Sequence, residues 1–214
     1  MMRTNILDNN AIIGNDIGIL RDIHLKTKNI VVYQRGIASL AQKLNQAIER
    51  PIECQASGTV EEITLSLNRY FANALHLNEE LLEDILNLLV LFEKVTKVSS
   101  FQVSLNTIST NMCRRFHADN NELRMLCTYY GPGTLWLPDY AVDGKAYLNR
   151  KGNQKILLDE GLVQQVDTGD VVILKGALYP GATPVLHRSP SIEENGEERI
   201  LLSIDANESL NLSR

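Results

Sequence analysis

Two short motifs, far apart in the sequence, contain side chains that could bind a metal ion. His117 and Asp119 lie in the segment FHAD, and His187 lies in PVLHRSP. Residues two apart on an extended strand point to the same face, so His117 and Asp119 can offer an imidazole and a carboxylate together. His187 could supply a third ligand from a distant strand. Two histidines and a carboxylate on one face of a first-row divalent metal leave three positions open, as in the facial triad that binds Fe(II).

An arginine beyond His187 strengthens this interpretation, because His-x-Asp alone is also typical of a histidine bonded to a turn aspartate. In ERILLSID, the side chains of Arg199 and Ser203 share one face of a predicted strand. An arginine there could hold a carboxylate through two hydrogen bonds. Tyr129, on an earlier strand, is a further candidate for the cofactor pocket. The alternative for Arg199 is a salt bridge at the rim to Glu197 or Glu198.

Zinc is the competing metal, because two cysteines flank the His-x-Asp motif. Cys113, His117, Cys127 and His187 could together form a tetrahedral Zn(II) site. However, Cys113 would lie about 13 Å from His117 along a regular strand, which is too far for both to bind one ion without a bulge. Cys127 is also well explained as a small buried hydrophobic residue. We therefore favour an open Fe(II) site, with zinc as the alternative.

Other notable residues have simpler explanations. Lys175 and Arg188 are alternative anchors for an anion, and Trp136 is expected in the core or in a pocket wall. His24 and His76 have no acidic or cysteine neighbour at ligand spacing, and we expect both at the surface or at helix caps. The Gly-Pro-Gly sequence at 131–133 predicts a turn between strands.

The elements that must position these residues change in type along the chain. Residues 28–34 predict a short strand, and apolar residues from Ile37 to Ile48 recur at helical spacing until Pro51. Thr59, with a glutamate three residues later, predicts a capping box at the start of a second helix. Asn78 predicts the cap of a third helix.

After about residue 98 the hydrophobic pattern has the period of strands. Six segments separated by Gly, Pro, Asp and Asn predict short strands: FQVSLNTIS, ELRMLCTYY, KILLD, GDVVILKG, PVLHRS and ERILLSID. So many short strands favour an antiparallel sandwich or barrel. We predict a single α+β domain over 1–214. Within it, 1–97 is mainly helical and packs on one face of a β-rich core at 98–206 that carries the metal site, and 207–214 forms a flexible tail.

A resemblance to known families agrees with this interpretation. The motif His-x-Asp is followed by a distal His and then an Arg. This order resembles that of the Fe(II)/2-oxoglutarate dioxygenases, which have the double-stranded β-helix (jelly-roll, cupin-like) fold. That resemblance implies iron binding by His117, Asp119 and His187, with Arg199 holding the distal carboxylate of 2-oxoglutarate as co-substrate. The sequence departs from the pattern at Leu201, because a hydroxyl residue often follows the arginine by two positions.

A second resemblance covers about residues 30–206. The FHAD, LCTYYGPGT and HRSP blocks resemble a bacterial family known as domain of unknown function 1826. It implies a fold but no activity. Its association with zinc-homeostasis gene neighbourhoods implies the alternative function, a non-catalytic cupin-like zinc protein linked to metal homeostasis.

Composition limits the range of partners and locations. The net charge is −5 and the pI is about 5.4, which argues against a nucleic-acid partner. We expect no membrane partner, because the most apolar helix is short and contains charged residues. Three cysteines and no secretory signal pattern favour the cytoplasm. We expect a small-molecule or protein substrate, and a homodimer is compatible with the sequence.

Overall fold

The computed structural model describes residues 10–44, 50–74, 77–149, 151 and 153–206. The strands are β1 (Ala11–Gly14), β2 (Ile30–Tyr33), β3 (Glu53–Gly58), β4 (Phe101–Ile108), β5 (Leu123–Tyr130), β6 (Leu135–Leu137), β7 (Gln164–Gln165), β8 (Val171–Lys175), β9 (Leu186–Arg188) and β10 (Arg199–Ala206). The α-helices are α1 (Ala38–Leu44), α2 (Val60–Asn73), α3 (Glu79–Thr96), α4 (Gly144–Leu148) and α5 (Asn153–Ile156). Short 3-10 helices cover Ile17–His24, Asp139–Ala141, Glu160–Leu162 and Glu193–Asn195.

Two sheets form the core. The larger sheet has seven strands in the order β1-β2-β8-β5-β10-β4-β3, and the smaller has three in the order β7-β6-β9. All pairs are antiparallel except β1 with β2. The protein therefore has the predicted α+β, cupin-like architecture. The first 97 residues are more than a helical layer, because β1, β2 and β3 form the two edges of the larger sheet.

The N-terminal helices cover one face of the larger sheet, as predicted. Thr59 and Glu62 form the complete capping box at the start of α2, and the Asn78 side chain accepts a hydrogen bond from Leu81 N at the start of α3. These caps satisfy backbone N–H groups that have no partner within the helix. The buried faces of α2 and α3 pack against the sheet, where the rings of Phe92 and Phe101 lie 5.9 Å apart.

The alternation along β10 separates this helix-covered core from the site. Ile200, Leu202 and Ile204 are fully buried in the core under the helices. On the opposite face, Leu201 and Ser203 line a cavity. Because side chains on a strand alternate between faces, a single eight-residue strand contributes to both.

One predicted strand is wrong. The segment KILLD, at residues 155–159, instead contains the end of α5, followed by an isolated bridge from Leu157 to Val142. Ile156 is buried, whereas Leu158 is 61% exposed. A short apolar run does not distinguish a strand from a helical turn, and here the run packs on the outer side of the smaller sheet without joining it.

Some predictions concern residues outside the described ranges: the helix continuation at 45–49, the position of His76 and the tail at 207–214. His24 lies at helix ends, one of the two places predicted for it: it ends the 3-10 helix and contacts the last turn of α3. It is half-buried, and its ring nitrogens lie 3.0 Å from Tyr179 Oη and 2.8 Å from Val95 O. Within the described ranges, none of the helices has the length and apolar character needed to cross a bilayer.

Candidate metal centre

A backbone bridge brings the two histidines together. His117 N donates to His187 O at 3.1 Å, and His187 N donates to His117 O at 3.0 Å. This antiparallel pair joins the segment after β4 to strand β9, and the imidazole rings lie 4.7 Å apart. The fold therefore places the two predicted ligands side by side.

Asp119 completes the triad. Its Oδ1 lies 3.7 Å from His117 Nε2, and its Oδ2 lies 3.3 Å from His187 Nε2. One ligand atom from each of the three residues lies within 4.8 Å of the others. Two atoms bonded to one metal at about 2.1 Å can be at most about 4.2 Å apart, so only a small approach is needed for shared binding.

The other ring nitrogens of the two histidines favour this role. His117 Nδ1 lies 3.0 Å from Arg115 O, and His187 Nδ1 lies 3.5 Å from Val185 O. A protonated Nδ1 can donate to such a carbonyl, which leaves the Nε2 lone pair directed at the triad. This is the tautomer that a metal-binding imidazole requires.

Asp119 is held as a carboxylate. Burial raises the pKa of Asp119, but the adjacent His187 and the positive charge of Arg124 outweigh burial and bring it below its ordinary value. Arg124 Nη1 donates to Asp119 Oδ1 at 2.8 Å. Asp119 Oδ2 is buried and accepts no hydrogen bond within the described part of the chain. A buried carboxylate oxygen without a partner is costly, and a cation between it and the two imidazoles would remove that cost.

Arg199 is a buried cation at the start of β10. Only 1% of it is exposed, and its Nη2 donates to Thr128 Oγ1 at 3.1 Å and Thr134 Oγ1 at 3.3 Å. Its Nε is buried without a partner, and no salt bridge in the described ranges involves it. Burial lowers the pKa of Arg199 to about 10, so it stays charged at neutral pH. The rim salt bridge to Glu197 or Glu198 is not formed, and none of the carboxylates that the structure describes pairs with the guanidinium.

A cavity of about 630 Å³ lies beside the triad and is lined by both His117 and His187. It extends to Thr134, the hydroxyl partner of Arg199, and to Ser203 on β10. The pairing of β3, β4 and β10 arranges the rest of this wall in rows: Glu53, Asn106 and Leu201, then Gln55, Ser104 and Ser203, then Gln102 and Asp205.

Tyr129 does not belong to this site. It lies on the opposite face of β5, in the helix-covered core, and its hydroxyl donates to Asp84 Oδ2 at 2.6 Å. The prediction that Tyr129 binds the cofactor failed because neighbouring Thr128 and Tyr129 point to opposite faces of one strand. Thr128 is the residue that faces Arg199.

The structure also separates the cysteines from the triad. Cys127 is buried on the helix-covered face near Arg35, and Cys113 lines the cavity without joining the metal-binding group. Lys175 is buried elsewhere, with its Nζ donating to Leu25 O at 2.9 Å and lying 4.2 Å from the centre of the Tyr179 ring.

The remaining candidates lie close to the cavity or in the core. Arg188 lines the cavity and lies over the Phe116 ring, and Trp136 is buried between the sheets, as predicted. Sequence reasoning missed Thr134 and Asp205. Thr134 follows the Gly-Pro-Gly turn, and a hydroxyl at the end of that turn is the signal that could have identified it.

Together, the fold and the triad define a cupin-like protein with a two-histidine, one-carboxylate site. The chain belongs to the family described as protein of unknown function (DUF1826), whose family model matches residues 14–205. The sequence matches none of the curated proteins with which it was compared.

The solved structures that match this chain include 2-oxoglutarate complexes and a hydroxylase. The dioxygenase for auxin oxidation 1 from Arabidopsis thaliana, in a binary complex with 2-oxoglutarate, is 10% identical, with a TM-score of 0.55 and coverage of 94% of this chain and 93% of that chain. A full-length Neurospora crassa protein in complex with alpha-KG is 12% identical (TM-score 0.45; coverage 94% and 85%). A Pseudomonas putida prolyl-4-hydroxylase is 13% identical (TM-score 0.42; coverage 88% and 96%). The first of these similarities supports the cupin-like fold.

Proposed function

We propose that this protein is a non-haem Fe(II)- and 2-oxoglutarate-dependent oxygenase. The observation that carries the proposal is that three metal-binding side chains and a buried guanidinium lie in the same region. The triad offers a buried carboxylate oxygen and two imidazole nitrogens, and Arg199 is a buried cation that pairs with no carboxylate among the described residues. A metal ion and a dicarboxylate would complete both.

His117, Asp119 and His187 would hold the metal. An Fe(II) ion bound there would supply the activation of dioxygen coupled to oxidative decarboxylation of 2-oxoglutarate. The protein would hold the two imidazoles in their Nε2-binding tautomer and keep Asp119 ionised. Burial of His187 and Asp119, which are 5% and 8% exposed, would limit access of water to that side of the site.

Arg199 would bind the distal carboxylate of 2-oxoglutarate. Thr128 and Thr134 already accept hydrogen bonds from the guanidinium and hold it in place. They also supply hydroxyl groups near Arg199. In the dioxygenases that this sequence resembles, a residue two positions after the arginine often supplies such a hydroxyl, but here that position is Leu201. Ser203 lines the same cavity and is a further candidate contact for the co-substrate.

The substrate, whether a small molecule or a segment of a protein, would contact the wall formed by β3, β4 and β10. That wall presents mainly amide and hydroxyl side chains, and Asn106 Oδ1 is buried there with no hydrogen-bond partner in the described part of the chain. Such a surface binds polar groups better than apolar ones, because a buried amide left unpaired is costly. We therefore propose a polar substrate that can donate hydrogen bonds.

Turnover of 2-oxoglutarate tests the proposal. Purified protein with Fe(II) is expected to form succinate slowly even without a substrate, and to show a visible charge-transfer band when 2-oxoglutarate is added without oxygen. Arg199→Met should weaken 2-oxoglutarate binding at least about 30-fold, because truncation of one partner of a buried charge pair costs about 2–5 kcal/mol. Lys175→Met is the matched control, since it removes a buried cation that does not face the cavity.

A second outcome would favour the alternative function. If Zn(II) binds to the triad but 2-oxoglutarate neither binds nor turns over, the protein is a non-catalytic metal-binding protein. Equal 2-oxoglutarate affinity in the wild type and in Arg199→Met would show that Arg199 is not the anion anchor.

A further inference from the structure

Arg124 lies between the triad and a second carboxylate. While its Nη1 donates to Asp119 Oδ1, its Nε and Nη2 donate to Oδ1 and Oδ2 of Asp205 at 2.7 and 2.8 Å. Asn121 Nδ2 donates to Asp205 Oδ1 at 2.7 Å. Because a guanidinium is planar and its donors are fixed in direction, the paired contact with Asp205 determines where Nη1 points.

The two oxygens of Asp119 consequently have different surroundings. Oδ1 is occupied by Arg124, whereas Oδ2 lies 3.3 Å from His187 Nε2 and has no hydrogen-bond donor among the described residues. Oδ2 is therefore the oxygen through which Asp119 could bind a metal held by the two histidines. Binding through both oxygens would require Asp119 to give up its contact with Arg124.

The charge on Arg124 would by itself oppose a metal cation so close to it. Asp205 offsets this charge, since its carboxylate pairs with the guanidinium through two hydrogen bonds. Asp119, Arg124 and Asp205 together carry one net negative charge, which remains available to the metal. Their contacts are partly buried, so solvent screens this balance only in part.

We propose that Arg124 and Asp205 are positioning residues for the metal ligand Asp119. Arg124 restricts Asp119 to binding the metal through Oδ2, and Asp205 neutralises Arg124 so that this restriction does not weaken metal affinity. The inference rests on the proposed function, in which three coordination positions must stay open. A carboxylate bound through both oxygens would occupy one of them.

Mn(II) is a suitable probe, because it binds such sites and its effect on water-proton relaxation reports how many water molecules it coordinates. Asp205→Asn leaves Arg124 charged and without its counter-ion, so Mn(II) affinity should fall about 10- to 100-fold. Arg124→Met frees Asp119 Oδ1 and leaves Asp205 negative. Its Mn(II) affinity should not fall, but the bound ion should lose one coordinated water.

Two further variants separate this effect from general damage. Lys175→Met removes a buried cation that does not line the cavity and should leave both measurements unchanged. Arg124→Lys keeps the charge, but a lysine cannot contact both carboxylates in one plane. In this variant the bound Mn(II) should therefore lose one coordinated water, while the protein stays folded. Thermal unfolding without metal checks that each variant is folded.

The results distinguish this inference from the proposed function. If the wild type binds no Mn(II), the metal site itself is wrong and both proposals fail. If the wild type binds Mn(II) and the Arg124 and Asp205 variants match Lys175→Met in affinity and in coordinated water, only the positioning role is overturned. A lower Mn(II) affinity in Asp205→Asn without a lower affinity in Arg124→Met supports it, because structural damage would lower the affinity of both.

Discussion

Asp84 connects an arginine and a tyrosine on the face of the sheet away from the triad. Arg35 donates to both of its oxygens at 2.6 and 2.7 Å, and Tyr129 donates to Oδ2 at 2.6 Å. Burial raises the pKa of Tyr129 well above its ordinary value, and the nearby negative charge adds to this. The hydroxyl therefore stays protonated and donates, which suits a structural role linking β5 to α3.

Tyr129→Phe tests this role. The variant should lose about 1–2 kcal/mol of unfolding free energy, because a buried hydrogen bond to a charged acceptor is removed. Affinities for Mn(II) and 2-oxoglutarate should match the wild type, since Tyr129 faces away from the cavity. Denaturant unfolding and titration with each ligand measure the two quantities. A weaker 2-oxoglutarate complex with unchanged stability would contradict the assignment.

Lys175 should give the protein an unusual pH dependence. Burial lowers the pKa of Lys175 from 10.5 to about 8, so between these values the unfolded chain binds more protons than the folded chain. Stability should therefore rise with pH in this range, by about 1 kcal/mol between pH 7.5 and 9. Denaturant unfolding at several pH values should show this rise in the wild type and not in Lys175→Met. Parallel curves for the two proteins would argue against it.

Residue types and spacing could predict that the three triad residues lie together, but they could not give the orientation of every candidate side chain. His117, Asp119, His187 and Arg199 carry side chains with few alternative roles when several occur in this order. Tyr129 was misplaced because a strand buried on both faces lacks the alternation that tells its two sides apart.

At the scale of elements, the Gly-Pro-Gly turn between β5 and β6 controls where Thr134 lies. A Cβ on Gly133 would be 1.8 Å from Val166 O, and one on Gly131 would be 2.0 Å from Glu198 O. Both contacts are with backbone atoms, so neither can be relieved by a rotamer change. The turn is therefore held tightly against its neighbours, and it sets the position of the hydroxyl that accepts from Arg199.

Gly133→Ala should displace this turn. We expect a loss of at least about 2 kcal/mol in unfolding free energy and a weaker 2-oxoglutarate complex, because the backbone must shift next to Thr134. Gly144→Ala is a matched control, since nothing lies within 4 Å of the added methyl group in the first turn of α4. It should change stability by less than about 1 kcal/mol. Equal effects of the two substitutions on stability and binding would disprove this role of the turn.

Elements with local signals were predictable, and those that depend on partners were less so. The helix caps at Thr59 and Asn78 depend only on residues close in the sequence, and both were confirmed. β1 and β3 were missed because edge strands of four and six residues carry little pattern of their own. Their place in the sheet depends on pairing with β2 and β4.

At the scale of the whole molecule, the larger sheet contains strands from both ends of the described chain. Its two faces have different roles. One face packs against α2 and α3, and the other lines the cavity and meets the smaller sheet. Because metal binding needs residues from separate parts of this arrangement, it should be coupled to global stability.

A ligand that binds only the folded state should stabilise it. At Mn(II) concentrations about 100-fold above the dissociation constant, we expect an increase of about 2.7 kcal/mol in unfolding free energy. His187→Ala should show no such increase, and Cys113→Ser should retain it, since Cys113 lines the cavity but is not a ligand in our proposal. Thermal unfolding over a range of Mn(II) concentrations measures this. Equal stabilisation of the wild type and His187→Ala would place the metal elsewhere.

The backbone bridge between His117 and His187 also closes a long loop of the chain. The two residues are about 70 positions apart, and in this bridge two main-chain hydrogen bonds close the intervening loop. A metal bound by both imidazoles would act as a cross-link across that loop. A permanent cross-link of this span lowers the entropy of an unfolded chain by an amount worth on the order of 4 kcal/mol. The ion would then stabilise the pairing of β9 with the segment that carries His117.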